Sequence, residues 1–200
     1  MSQLPRHILL GWIGAIVVSI LWIDQPLAHL IESTQTDTSR ILGHWLEEIG
    51  KSHWVLGYCL LVALIAWRSR RDEAYSHLRL FGAVAVSGIA ANIIKIFVCR
   101  ARPPLFIEQG LASWDLFAFK MEFLWNSFPS GHATTGLAIA VAGAAAYPRL
   151  KHAFWIVGIA IALGRIMLNV HYLSDVLAGS LLGTLTALWF VERLGRKPAA

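Results

Sequence analysis

The sequence has few charged residues and few cysteines. Asp, Glu, Lys and Arg make up 14% of its 200 residues, whereas 56% are hydrophobic and nine are tryptophan. Such a composition is far from that of a soluble globular domain and predicts a membrane protein. The two cysteines, Cys59 and Cys99, provide neither a disulfide framework nor the spacing of metal ligands, so they leave the redox compartment open.

The sequence also lacks an uncharged apolar run as long as the roughly 20 residues that cross a bilayer. Run length alone would therefore allow the buried helices of a soluble protein. If the helices extend past the charges that bound the runs, the sequence has six transmembrane helices. We therefore expect an all-α polytopic membrane protein, built as a compact six-helix bundle. The bundle is expected to form one domain, residues 1–200. The apolar runs are 8–23, 54–67, 80–94, 133–148, 153–164 and 176–191.

Basic residues are distributed unevenly. The formal net charge of +5 could suggest nucleic acid, but ten of the seventeen Lys and Arg residues fall on one side of the membrane if the helices alternate. The positive-inside rule makes that side cytoplasmic. We expect both termini inside and no nucleic-acid partner. The ten residues are Arg6, Arg68, Arg70, Arg71, Arg79, Arg149, Lys151, Arg193, Arg196 and Lys197.

The first apolar run follows Arg6, as in a signal peptide, but no convincing small-residue cleavage site follows Ile23, so we expect a retained helix. The polar segment 24–53 comes next and is expected on the outer side. Within it, apolar residues recur at helical spacing from Ile41 to Ile49, with Ser39 available as a cap. This pattern predicts an amphipathic helix that lies on the membrane surface or packs as a cover on the bundle.

Three polar clusters interrupt the apolar pattern. In the first, Lys95 and Arg102 would share one helix face if the helix persisted between them, and Pro103 is expected to break it. Taken alone, such cations fit a membrane interface. The second cluster is the turn Pro129-Ser130-Gly131-His132, in which Gly131 and a helix start would suit an anion, although Ser and Gly are also ordinary helix-start residues.

The third cluster is Arg165, His171 and Asp175. An arginine within a membrane segment indicates a functional site or a structural counter-ion. His171 and Asp175 have the i, i+4 spacing that brings a carboxylate to an imidazole on one helix face. Such a pair can leave the other ring nitrogen free as a nucleophile, but it also fits an interface histidine. The alternating topology would bring all three clusters to the outer side.

Two further stretches bear on the bundle. The segment 105–128 is rich in aromatic residues, which fits either an anchor in the headgroup layer or a lid or lateral doorway for a lipid tail. The run 133–148 is rich in Ala and Gly and predicts the central helix, because small residues let helices approach closely. Gly158 with Ala162, and Gly179 with Gly183, predict matching contact faces on the last two helices.

Together the three clusters resemble the motifs of the type 2 phosphatidic acid phosphatase (PAP2) superfamily, in its bacterial membrane lipid-phosphatase branch. The resemblance covers nearly the whole chain. Gly164 departs from it, because the family commonly has Ser before the arginine of the third motif. The matching residues are Lys95, Arg102, Pro103, Ser130, Gly131, His132, Arg165, His171 and Asp175.

The resemblance implies the hydrolysis of a lipid phosphate or pyrophosphate through a phosphohistidine. His171 would be the nucleophile, Asp175 would orient it, and His132 would act as acid and then as base. Lys95, Arg102, Ser130, Gly131 and Arg165 would bind the phosphoryl group. Because three cations supply the positive charge, no metal or other cofactor is expected, and activity should survive EDTA.

The expected setting is a bacterial inner membrane with the site facing the periplasm, membrane lipids as partners and no obligate protein partner. Candidate substrates are undecaprenyl pyrophosphate, ranked narrowly first, phosphatidylglycerol phosphate, phosphatidate and a lipid A phosphate. Two alternatives remain at this point: non-catalytic binding or transport of an anionic lipid, and a superfamily phosphatase that acts on a soluble ester.

Overall fold

The computed structural model describes residues 4–110 and 114–195, so Arg196 and Lys197 of the basic set lie outside the described residues. Within those ranges the chain is helical, and its only β feature is an isolated bridge between Arg100 and Trp114. The α-helices are α1 (Arg6–Val18), α2 (Asp24–Thr34), α3 (Asp37–Ile49), α4 (Ser52–Ala66), α5 (Arg71–Val98), α6 (Pro103–Gln109), α7 (Gly131–Ala146), α8 (Lys151–Met167) and α9 (Leu173–Gly195).

Five helical segments among the described residues are long and apolar enough to cross a membrane, which supports an integral membrane protein. Helix α7, in the fourth predicted run, has 16 residues and is shorter. At 1.5 Å per residue it spans roughly 24 Å, less than the hydrocarbon thickness of a bilayer. The five segments are Arg6–Thr34, Asp37–Ala66, Arg71–Val98, Pro148–Met167 and Leu173–Arg193.

Helix α7 lies at the centre of the bundle, as its small residues predict. Its residues from Ala133 to Gly143 are all buried. Gly136 and Gly158 meet where α7 crosses α8, so closely that an added Cβ on either would strike the backbone oxygen of the other. Gly179 and Gly183 bring α9 equally close to α7, which confirms the predicted contact faces.

The segment 24–53 contains the predicted helix, α3, but differs from the prediction at Asp24 and Ser39. Asp24 is buried, because α1 continues through a π-helical turn, Ser19–Ile23, directly into α2. Thr36 is the N-cap of α3, and its side chain and that of Ser39 form a reciprocal capping box, so Ser39 is the third helical residue and not the cap itself. Helix α3 packs on the end of α8, while its apolar residues Ile41 and Trp45 remain exposed.

Basic residues gather at one end of the bundle. The Tyr147 hydroxyl, at the end of α7, lies 3.4 Å from His77 Nε2 in the first part of α5. Arg79 lines a small cavity together with Ala146 of α7 and Val191 of α9. The connections 67–70 and 147–150 therefore lie at the same end. The opposite end, where α5 and α8 finish and α7 and α9 begin, holds the three polar clusters.

Candidate active site

Lys95 and Arg102 converge on one backbone carbonyl. The Lys95 ammonium donates to the Asn126 oxygen at 2.6 Å, and an Arg102 guanidinium nitrogen lies 3.4 Å from the same atom. They do not share a helix face, because α5 ends at Val98 and Cys99 adopts a left-handed conformation with φ 42°. Pro103 does not break α5 but begins α6, since a proline at the first helical position loses no hydrogen bond.

The turn before α7 has the features of an anion cradle. Ser130 is the N-cap of α7, and its hydroxyl lies 3.5 Å from the Ala133 amide. Its own amide donates to the Asp175 backbone oxygen at 2.9 Å, which ties the turn to α9. A Cβ built on Gly131 would meet no atom within 4 Å, so open space lies beside this backbone. The helix N-terminus thus faces room for a ligand.

His132 and Arg165 have buried polar atoms that lack partners. Neither His132 Nε2 nor Arg165 Nε has a hydrogen-bond partner among the residues that the structure describes. Buried polar groups are normally satisfied, so these two atoms point to a ligand. The Arg165 guanidinium is 2% exposed and forms an ion pair with Glu47, with 2.7 Å between Nη1 and Oε1.

His171 and Asp175 are close but do not lie on one helix face. His171 precedes α9, which begins at Leu173, and its Nδ1 lies 3.5 Å from Asp175 Oδ2. Ser127 links the two side chains, because its hydroxyl donates to Asp175 Oδ2 at 2.5 Å and lies 3.5 Å from His171 Nδ1. With Nδ1 facing this carboxylate, Nε2 is the nitrogen left for a substrate.

A buried arginine that the motif pattern did not single out holds Asp175 from the other side. Arg100 donates to Asp175 Oδ1 at 2.6 Å and to Asp24 Oδ2 at 2.7 Å. Its guanidinium lies between the rings of Trp114 and Tyr172, 4.3 and 4.0 Å from their centroids. Burial opposes the charge, but the two carboxylates outweigh it and raise the pKa of Arg100.

Burial and the neighbouring charges favour the neutral form of His171. Complete burial lowers the pKa of His171 well below its usual value, and the positive charges of Arg102 and Lys95 lower it further, against the opposing effect of Asp175. Burial, together with the charge of Arg165, also lowers the pKa of Arg102 to about 10, which still leaves it charged at neutral pH. A neutral imidazole beside the charged Arg102 suits attack on an anionic phosphoryl group.

A cavity of about 390 Å³ opens beside the two cations. One part of its wall is polar, with Lys95 and Arg102, and another is apolar, with Met121 and Phe123 from the aromatic segment. Both apolar side chains are largely exposed, so a lipid could enter from this side. Within residues 4–110 and 114–195, no group of three or more His, Cys, Asp or Glu side chains is arranged to hold a metal ion.

Sequence reasoning missed four polar residues of this site: Asp24, Glu47, Arg100 and Ser127. Arg100 gave a partial signal, because it lies two residues before Arg102 in the first basic cluster. Glu47 lies on the polar side of the amphipathic segment, but no spacing pairs it with Arg165. Ser127 contacts Asp175 directly from 48 residues away, whereas Asp24 is linked to Asp175 through Arg100. Such contacts follow from helix packing alone.

The fold and the site define a helical membrane phosphatase, and comparison with known proteins agrees. A model of the PAP2 superfamily matches residues 76–198, and the chain belongs to that superfamily. It is a membrane lipid phosphatase.

Two relatives are named lipid A 1-phosphatases. One, from Rhizobium etli, is 33% identical over 183 residues, which cover 86% of this chain and 77% of the relative. The other, from Rhizobium johnstonii, is 32% identical over 196 residues, which cover 90% of this chain and 78% of the relative.

Two crystal structures share the fold at low sequence identity. LpxE of Aquifex aeolicus has a TM-score of 0.64 at 19% identity, covering 88% of this chain and 98% of that one. A PAP2-type phosphatidylglycerolphosphate phosphatase of Bacillus subtilis has a TM-score of 0.62 at 17% identity, covering 94% of each chain.

Proposed function

We propose that this lipid phosphatase hydrolyses a lipid phosphate on the periplasmic side of a bacterial inner membrane, through a phosphohistidine formed on His171. The observation that carries the proposal is the set of groups around that histidine. The Arg102 guanidinium donates to the backbone oxygen of Val170, next to His171, at 3.1 Å, and Asp175 lies beside the His171 Nδ1. His132 Nε2 is buried without a partner among the described residues, as a group that awaits a substrate would be.

The proposed reaction has two displacements at phosphorus. His171 Nε2 attacks the phosphoryl group, the bond to the lipid oxygen breaks, and His132 donates a proton to that oxygen. A water molecule then attacks the phosphohistidine, His132 takes its proton, and inorganic phosphate leaves. The cations Lys95, Arg102 and Arg165, with Ser130 and the Gly131 amide, would stabilise the charge that spreads over the phosphoryl oxygens in both steps.

The relatives favour a glycolipid phosphate as the first substrate to test. Two proteins named lipid A 1-phosphatases match most of this chain. The other candidate substrates to test are phosphatidate, phosphatidylglycerol phosphate and undecaprenyl pyrophosphate. The mixed lining of the cavity beside Lys95 supports a ligand with a charged head and an apolar tail, and the exposed side chains of 116–124 supply a doorway from the bilayer.

The proposed topology counts α7 as the sixth spanning helix. It lies between the basic end of the bundle and the site, and α8 and α9 cover it. Both termini would then be cytoplasmic, because the basic connections resist translocation.

Residues 1–200 would form one functional domain. Helices α2 and α3 precede the region that the family model matches, and they supply Asp24 and Glu47 to the site.

A phosphate-release assay with the four lipids, each in the same detergent, tests the function. The wild type should release phosphate from at least one of them, and His171→Ala should abolish the reaction because the covalent step loses its nucleophile. His152→Ala, which removes an exposed histidine of α8, is the matched control and should retain activity. Substantial turnover by His171→Ala would refute the phosphohistidine mechanism.

A further inference from the structure

Helix α3 brings an acidic residue to the phosphate site, where the substrate is itself an anion. The Glu47 side chain is 28% exposed, whereas its partner Arg165 is 2% exposed. The carboxylate therefore lies at the mouth of the site and the guanidinium inside it. Arg165 Nε has no partner in the described part of the chain, so Glu47 occupies one edge of the guanidinium and leaves another for a phosphoryl oxygen.

Close packing fixes α3 in this position. Leu46 lies against Gly164, and a Cβ on Gly164 would come within 2.8 Å of the Leu46 Cβ. A serine at 164, the residue common in the family, would collide with α3. The departure at Gly164 thus makes room for the helix that carries Glu47.

The same helix borders His132. At the end of α3, a Cβ on Gly50 would come within 3.0 Å of His132 Cδ2. Glu47 is also close enough to His132 for their charges to interact. In the proposed reaction His132 protonates the oxygen that leaves, so the departing part of the substrate lies on the Glu47 side. The transferred phosphoryl group would contact Lys95, Arg102 and the free edge of Arg165, deeper in the site than the more exposed Glu47 carboxylate.

We propose that Glu47 is a specificity-determining residue that selects against lipid diphosphates. In a diphosphate the departing group is itself a phosphate and carries negative charge, which the carboxylate repels. In a phosphomonoester the departing group is a neutral alcohol or sugar, which brings no second negative charge to Glu47. The carboxylate therefore disfavours the diphosphate more than the monoester, because only the diphosphate brings a second anionic group close to it. The inference rests on the proposed roles of His132 and His171.

The test compares one monoester, phosphatidate, with one diphosphate, farnesyl diphosphate, in detergent micelles at a single pH. His44 Nδ1 lies 3.1 Å from the other Glu47 oxygen. Both substrates are therefore assayed at the same pH, so that the charges around Glu47 are the same in the two measurements. The measured quantity is the ratio of kcat/KM for the diphosphate to kcat/KM for the monoester. Both values come from one preparation, so the fraction of folded protein cancels.

We expect the wild type to prefer the monoester and Glu47→Gln to raise the ratio about tenfold. Glu47→Asp, which retains the charge but withdraws it by one methylene, should raise the ratio less. The matched control is Glu48→Gln, which removes a charge from the same helix at a residue that pairs with Lys51, and it should leave the ratio unchanged.

Three results would overturn the inference: a wild type that prefers the diphosphate, a Glu47→Gln variant with an unchanged ratio, or an equal shift in Glu48→Gln. An unchanged ratio with lower activity on both substrates would make Glu47 a counter-ion of Arg165 only. Failure of the proposed function would look different, because the wild type would then release phosphate from none of the four lipids in the phosphate-release assay, whereas failure of the inference leaves that activity intact.

Discussion

At the scale of single residues, Arg100 shows how a buried charge can organise a site without touching the substrate. It joins Asp24, at the start of α2, to Asp175, in the first turn of α9. Ser174 strengthens this link, because its backbone amide donates to Asp24 Oδ1 at 3.0 Å. Asp175 is thereby held in place between Arg100 and Ser127, facing His171.

We predict that Arg100→Met strongly destabilises the protein, because it leaves two carboxylates buried without their counter-ion. Removing one partner of a buried ion pair typically costs about 3–5 kcal/mol. Adding Asp24→Asn should restore part of the loss, since one unpaired charge is then removed. Thermal unfolding in detergent measures both effects.

The matched control for Arg100 is Arg70→Met. Arg70 is an exposed arginine whose ion pair with Glu73 lies at the surface, so its removal should change the unfolding temperature little. If Arg100→Met unfolded at the temperature of this control, the buried network would not be a source of stability.

The site residues that the sequence predicted are those whose chemistry is unusual for a membrane segment. Arg165 and His171 interrupt apolar runs, and a charge in such a place indicates a function. Asp24 and Ser127 gave no such signal, because an acid at the end of an apolar run and a serine in a loop are ordinary. Their roles depend on contacts between distant segments, which no local pattern records.

At the scale of elements, the close crossing of α7 with α9 positions the proposed catalytic groups. Gly183 lies against the Thr134 carbonyl oxygen, and Gly179 lies against that of Ser130. Helix α7 carries Ser130 and His132 at its start, and α9 carries Asp175 in its first turn. The two glycines therefore set the separation between the anion cradle and the carboxylate.

We predict that Gly183→Ala lowers both stability and activity, because its methyl group would press α9 away from the α7 backbone. Overpacking of this kind typically costs about 1–3 kcal/mol. The matched control is Gly88→Ala in α5, where an added Cβ meets no atom within 4 Å. Unfolding temperature and phosphate release should fall for Gly183→Ala only. Equal behaviour of the two variants would contradict the packing argument.

The sequence predicts that the long apolar helices exist, but it does not predict where they begin and end. The apolar runs indicate helices because burial in lipid requires internally satisfied backbone groups. The ends depend on tertiary contacts. Helix α5 stops four residues before Arg102, since Cys99 turns the chain so that Arg100 can be buried. His171 lies just before α9, so the i, i+4 spacing correctly predicted its proximity to Asp175 but not the conformation.

At the scale of the whole molecule, the basic connections and the site occupy opposite ends of the bundle. Arg68 and Arg70 lie in the α4–α5 connection, and Lys95 lies at the far end of α5. Basic residues next to a membrane resist translocation, and anionic inner-leaflet lipids add about 1 kcal/mol of attraction per cation. The sites for the proposed substrates should therefore face the periplasm.

Cysteine labelling tests this orientation. In a variant without Cys59 and Cys99, a thiol introduced by Gln109→Cys, at the exposed end of α6, should react with a membrane-impermeant maleimide in intact spheroplasts. A thiol introduced by Ser69→Cys, in the exposed α4–α5 connection, should react only after lysis. The reverse pattern would place the site in the cytoplasm and exclude outer-leaflet substrates.

Identification of the covalent intermediate tests the phosphohistidine mechanism most directly. Protein mixed briefly with a lipid labelled with ³²P in its terminal phosphate is quenched in alkali, because phosphohistidine is labile in acid, and the labelled peptide is mapped. The phosphohistidine mechanism predicts label on His171, none in His171→Ala, and turnover of the label when the reaction continues before quenching. Label on another residue, or active protein that never carries label during turnover, would contradict it.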